Sequence, residues 1–179
     1  LAFSYSESGE YKKALEIEII IYNTRKEIFG KEHPNTIISL ANIAFLYSNL
    51  GDNKKALEMN KIVYNTRKEV FGEKHPDTLD ALAELAVSYS KLGDYKKALE
   101  IEITVYNTRK EILGEKHPDT LSALNNLAIS YSDLEDYSKS LELHNTVYNA
   151  RKEILGEKHP DTIISLANLA SSYSDLGDY

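Results

Sequence analysis

The sequence predicts an all-α solenoid of stacked antiparallel helix pairs, about four repeats of 42 residues, and three observations predict it. Pro34, Pro76, Pro118 and Pro160 stand 42 residues apart, and each follows a histidine: His33, His75, His117 and His159. The glycines fall into two columns of the same period, Gly9, Gly51, Gly93 and Gly177, with Glu135 in the missing place, and Gly30, Gly72, Gly114 and Gly156. Apolar residues within each period recur at helical spacing, and none of the chain alternates with period two. A repeat of this length is a unit that buries its apolar face against its neighbours, so residues 1–179 read as one array without a domain boundary.

The elements follow in order from the repeat. A half-helix at 1–8 leads and stops at Gly9. Helices of a second type, B, are expected at about 11–29, 53–71, 95–113 and 137–155. They alternate with helices of a first type, A, at about 34–50, 76–92, 118–134 and 160–176. In one A helix Leu79, Leu82, Ala86 and Tyr89 recur at i, i+3, i+7 and i+10, which is a single helical face. Pro76 suits the first turn, where its missing N–H has no partner to lose, and Asp77 places negative charge at the positive end of the helix dipole. Gly93 breaks the helix and Asp94 is positioned as the N-cap of the next, a B helix whose Leu99, Ile101, Val105, Tyr106, Ile112 and Leu113 run to a C′ glycine at Gly114. Where that corner carries Glu135 instead of Gly, a positive φ costs on the order of 1 kcal/mol, which makes 133–136 a soft point.

Charge and composition exclude several functions. Asp and Glu number 28 against 21 Lys and Arg, a net charge of −7, so no basic field is offered to nucleic acid. Apolar runs such as Ile19-Ile20-Ile21-Tyr22 are too short for a membrane span. The absence of cysteine removes disulfides, thiolate metal sites and cysteine nucleophiles, and suits a cytoplasmic location. No GxxxxGK, GxSxG, HExxH or GxGxxG occurs, and carboxylates such as Glu10, Glu111 and Glu115 have Lys nearby in sequence, as solvated faces do. Neither catalysis nor a cofactor is therefore expected. Histidines one repeat apart lie roughly 8–10 Å from each other, whereas zinc ligands converge to bonds of about 2 Å, so the His-Pro histidines are linker framework and no metal is expected.

The stretch LGDYKKALE at 92–100, preceded by a helix with Leu82, Leu85-Ala86 and Tyr89, resembles the tetratricopeptide repeat pattern. The linker LGEKHPDTL and the run LNNLAISYSDL at 124–134 are similar to the long-form repeats of kinesin light chains and their bacterial relatives. The resemblance covers the whole chain. It implies a right-handed superhelix in which A helices line a concave groove that binds a peptide segment of a protein partner, without chemistry. A protein–protein interaction scaffold is the expected function; a sensor array attached to a signalling NTPase and a self-assembling structural array are the alternatives. Leu1–Tyr11 and Leu169–Tyr179 are the same segment of the repeat, so the sequence is expected to be cut from a longer chain, with uncapped ends that associate head to tail.

The resemblance also assigns groove positions. Beside the core stripe Ile37, Leu40, Ala44 and Tyr47 runs a second stripe, Ile38, Ala41, Phe45 and Ser48, which corresponds to the family's ligand-facing positions. In the other repeats the third of these is Phe3, Val87, Ile129 and Ser171. Asn42, Asn126 and Asn168, interrupted by Glu84, occupy the site where family asparagines bond a peptide backbone, and Ser48, Ser90, Ser132 and Ser174 line the next turn. Charges on this side are Glu7, Asp80, Glu84, Asp133 and Asp175 against Lys91 alone, so a neutral or basic ligand with apolar anchors is expected rather than an acidic one. Helix B carries a polar ladder in its apolar arc: Glu18, Asn60, Glu102 and His144 at one level, Arg25, Arg67, Arg109 and Arg151 at another. Either these groups pair inside the stack and fix its register, or the first set faces the groove and reads a ligand.

Overall fold

The computed structural model describes residues 9–177; the half-helix expected at 1–8, with Phe3 and Glu7, lies outside the described residues. Among the described residues there are eight helices and no strand: α1 (Tyr11–Phe29), α2 (Pro34–Asn49), α3 (Asn53–Phe71), α4 (Pro76–Ser90), α5 (Tyr95–Leu113), α6 (Pro118–Asp133), α7 (Tyr137–Leu155) and α8 (Pro160–Leu176). The all-α solenoid of helix pairs is thus what the repeat encodes. Backbone contacts group the chain into two compact units that divide after Gly93, and each is described by itself.

In the first unit α1 packs on α2, α2 on α3 and α3 on α4. Linkers of three or four residues turn the chain back at each step, which is why consecutive helices are neighbours. The corner after α2 satisfies its last carbonyls with paired bonds, Gly51 N–H to Ser48 O at 3.1 Å and Asp52 N–H to Tyr47 O at 2.9 Å, around Gly51 at φ 80°. Asp52 then caps α3 by accepting from the Lys55 amide at 3.2 Å. The core between the helices is Ile37, Leu40, Val63 and Ala81, walled by Tyr22, Met59 and Tyr64.

The second unit repeats the arrangement, α5 on α6, α6 on α7 and α7 on α8, around Leu124, Leu127 and Val147 with Leu99, Ile103 and Tyr106 against them. Its α6–α7 corner has the same paired bonds, Glu135 N–H to Ser132 O at 2.8 Å and Asp136 N–H to Tyr131 O at 2.9 Å. Glu135 takes the glycine's place at φ 63°, and it is the one described non-glycine residue with positive φ.

Candidate functional site

Each Pro-started helix opens on a histidine, and the structure gives that residue a local task which its place beside Pro does not announce. Nδ1 of His33, His75, His117 and His159 accepts the amide of the residue two places on, Asn35, Asp77, Asp119 or Asp161, each at 3.2 Å. The histidines are N-caps, supplying the acceptor that Ser, Asp or Asn supplies elsewhere. Phe29 and Phe71 stack on His33 and His75 with ring centroids 4.6 and 4.8 Å apart and hold the first two rings in place.

The arginine column meets these same turns. Nη1 of Arg25, Arg67, Arg109 and Arg151 donates to the carbonyl of Asn35, Asp77, Asp119 and Asp161 at 3.1, 2.8, 3.3 and 3.3 Å. Ser39 and Ser165 accept a second bond from Arg25 and Arg151 at 2.7 and 2.9 Å, and alanine stands at the equivalent Ala81 and Ala123. The guanidinium therefore links each B-type helix to the first turn of the helix that follows it.

The upper level of the ladder is buried in both units and bonds to the following helix. Glu18 accepts from Asn42 Nδ2 at 3.2 Å, Asn60 Nδ2 donates to Ser88 Oγ at 2.8 Å, and His144 Nδ1 lies 2.7 Å from Ser172 Oγ. Glu102 is buried at the same level of α5. Burial holds the pKa of His144 below the ordinary histidine value of 6.5, with Asp175 acting weakly in the opposite sense. On the exposed linkers the lysines of Lys68–Glu73, Lys110–Glu115 and Lys152–Glu157 rise and the glutamates fall, because each ammonium hydrogen-bonds its carboxylate. Lys116 reaches Glu153 at 2.6 Å, not the glutamates near it in sequence.

The second stripe of the Pro-started helices lies on the surface. Ile38, Phe45, Val87 and Ile129 are 45, 57, 40 and 46 % exposed, and Phe45 leaves more than half its side chain uncovered. Glu84 and Lys91 are exposed as well, and Asn126, Ser90 and Ser132 are half-buried. Side chains bridge neighbouring Pro-started helices in each unit: Lys91 Nζ donates to Ser48 Oγ at 2.6 Å, Asn168 Nδ2 to Asn125 Oδ1 at 2.7 Å, and Ser132 Oγ to Asp175 at 3.4 Å. These pairs lie one position off the 42-residue columns, which is why column reading missed Asn125. In the first unit the stripe borders a cavity of about 260 Å³ lined by Asn42, Phe45, Asn60, Val63, Arg67 and Glu84.

Among the described residues no cluster of three or more His, Asp or Glu side chains could hold a metal ion, and no helix is long and apolar enough to cross a membrane.

Comparison with known proteins agrees with this geometry. A tetratricopeptide repeat family model matches residues 1–69, 42–110, 103–153 and 122–179. Two crystal structures of a protein described as a kinesin light chain with nearly identical TPR-like repeats, from Podosopora anserina, are each 25 % identical. They superpose with TM-scores of 0.85 and 0.83, covering 99 % of this chain and 84 % of theirs. BtubC (BKLC) from P. vanneervenii, 22 % identical, has the same fold with a TM-score of 0.82 over 99 % of this chain and 71 % of its own. No curated protein matches the sequence.

Proposed function

The chain belongs to the tetratricopeptide repeat family, and from that premise we propose that it is a non-catalytic scaffold holding a peptide segment of a partner protein. Proteins of this family and of the kinesin light chain-like group generally mediate protein–protein interaction and are generally not catalysts. The candidate peptide-holding faces are those of α2 and α4 in the first unit and, taken separately, of α6 and α8 in the second. The observation that carries this reading is made in each unit separately: exposed Ile38, Phe45 and Val87 with Asn42 and Glu84 in the first, and exposed Ile129 with Asn126 and Asn168 in the second. Apolar anchors next to groups that can bond a backbone are what an extended peptide requires. The carboxylates Asp80 and Glu84 in the first unit and Asp133 and Asp175 in the second outnumber the ammonium of Lys91 on this side, and that balance favours a neutral or basic segment. A peptide array probed with the purified 179-residue chain tests the reading: selection of apolar, neutral or basic sequences is expected, and enrichment of Glu- and Asp-rich ones overturns it.

A further inference from the structure

The strict period makes an exchange between two positions informative. Glu18 is buried and accepts from Asn42 Nδ2 at 3.2 Å. One repeat on, the same two positions hold Asn60 and Glu84, so amide and carboxylate have changed places. A purely structural pair would re-form with the Asn60 amide donating to the Glu84 carboxylate. Instead Asn60 Nδ2 donates to Ser88 Oγ at 2.8 Å and to the main-chain carbonyl of Glu84 at 3.4 Å. Ser88 makes this possible, since the equivalent position beside Glu18 is Leu46. The exchange leaves the exposed Glu84 carboxylate with no hydrogen bond or ion pair among the described residues.

Glu84 lines the 260 Å³ cavity of the first unit together with Phe45, and Ala41, Val63 and Ala81 make the remaining wall apolar. The amide nitrogens at this end are turned inside the protein, Asn42 to Glu18 and Asn60 to Ser88 and the Glu84 carbonyl, so apart from the second N–H of Asn42 the groups left over are acceptors, the two amide oxygens and the carboxylate. The cation of the cavity, Arg67, is held by the Asp77 carbonyl at 2.8 Å and sits seven residues beyond Asn60, about two turns or roughly 10 Å along α3. Lys91 is turned to Ser48. One end of the cavity therefore combines a free negative charge, unfilled acceptors and an aromatic lip. A long side chain with an apolar stem and a cationic tip matches all three.

We propose that this cavity receives a lysine or arginine side chain of the bound segment, its stem against Phe45 and Ala41 and its charge on Glu84. The proposal rests on the groove reading above and adds a residue-level specificity to it. It is tested with a positional-scanning peptide library selected on the full 179-residue chain and on Glu84→Asn. Asparagine stands at the equivalent Asn42, Asn126 and Asn168, so this variant keeps the fold. Wild-type selection is expected to enrich Lys or Arg at one position beside an apolar residue, and Glu84→Asn to lose that enrichment while keeping the apolar one. A synthetic peptide of the selected sequence is expected to bind Glu84→Asn about tenfold more weakly. Replacing its Lys or Arg by Gln should cost the wild type the same factor and the variant nothing further. An unchanged Lys/Arg preference in Glu84→Asn, or selection without any basic preference, overturns the proposal and leaves the groove reading standing. Failure of the wild-type chain to select any sequence overturns both.

Discussion

Arg67 donates from Nη1 to the carbonyl of Asp77 at 2.8 Å, while the amide of Asp77 is accepted by Nδ1 of His75 at 3.2 Å. The second residue of α4 is thus held at both ends of its backbone, once from the preceding helix and once from its own cap. The same pair of bonds recurs at Asn35, Asp119 and Asp161. Because the guanidinium grips main chain, the bond survives the change from Asp77 to Asn35, and it fixes where each Pro-started helix begins relative to its predecessor.

Removing the clamp should cost stability without altering the fold. Arg67→Met is expected to destabilise the chain by about 1.5–3 kcal/mol, the range for hydrogen bonds to charged groups. Arg67→Lys should recover only part of this, since an ammonium lacks the planar fork. His75→Ala should cost about 1 kcal/mol and His75→Asn, which keeps a capping acceptor, much less. Urea unfolding followed by circular dichroism reads all four, and equal stability of His75→Ala and His75→Asn would remove the capping role.

Thr78 is fully buried and Oγ1 has no hydrogen-bond partner among the described residues, as is the case for Thr36, Thr120 and Thr162. A buried hydroxyl without a bond carries its desolvation cost uncompensated. Thr78→Val, nearly the same shape, is expected to stabilise the chain by about 1 kcal/mol. A lowered melting temperature would show that the hydroxyl is satisfied in solution.

Glu135 occupies the left-handed corner position that Gly51, Gly93 and Gly177 occupy elsewhere, and its backbone bond to Ser132 is formed all the same. The strain is therefore carried by the native state instead of being relieved by a change of turn. Glu135→Gly should raise stability by roughly 1 kcal/mol, a gain read as slower hydrogen exchange at the α6–α7 corner as well as a higher melting temperature. Glu135→Ala, which keeps the Cβ, should gain little.

Much of the fold is legible in the sequence because the repeat writes each position four times. Pro76, Gly93 and Asp94 mark boundaries, and one occurrence of each is weak evidence where a column of them is strong. The strain at Glu135 was readable for the same reason, as the gap in a glycine column. The site is less legible, and the causes are local. The capping of α4 by His75 depends on a ring orientation that spacing does not encode, and the Lys91–Ser48 and Asn168–Asn125 bridges join positions one residue off the period. The buried side of the polar ladder was visible in Glu18 and Asn60, but their partners Asn42 and Ser88 differ in level, because a carboxylate and an amide seek different atoms.

His144 makes the stability of the second unit sensitive to pH. It is buried on α7 with Nδ1 on Ser172 and no partner at Nε2 among the described residues, and burial keeps its pKa below 6.5. In the unfolded chain the imidazole takes a proton near the ordinary value, so between about 6.5 and the lower folded value the unfolded state binds more protons. The contribution of the neutral ring is therefore fully present above pH 6.5 and is lost as the pH falls through the folded pKa. His144→Asn, which places at this level the residue that Asn60 already provides in the first unit, removes the titrating group. The melting temperature of the wild type should consequently fall further than that of His144→Asn when the pH is lowered from 7.5 to 5, and contributions common to both proteins cancel in the difference. Parallel pH profiles for the two would mean that the buried ring does not titrate differently on unfolding.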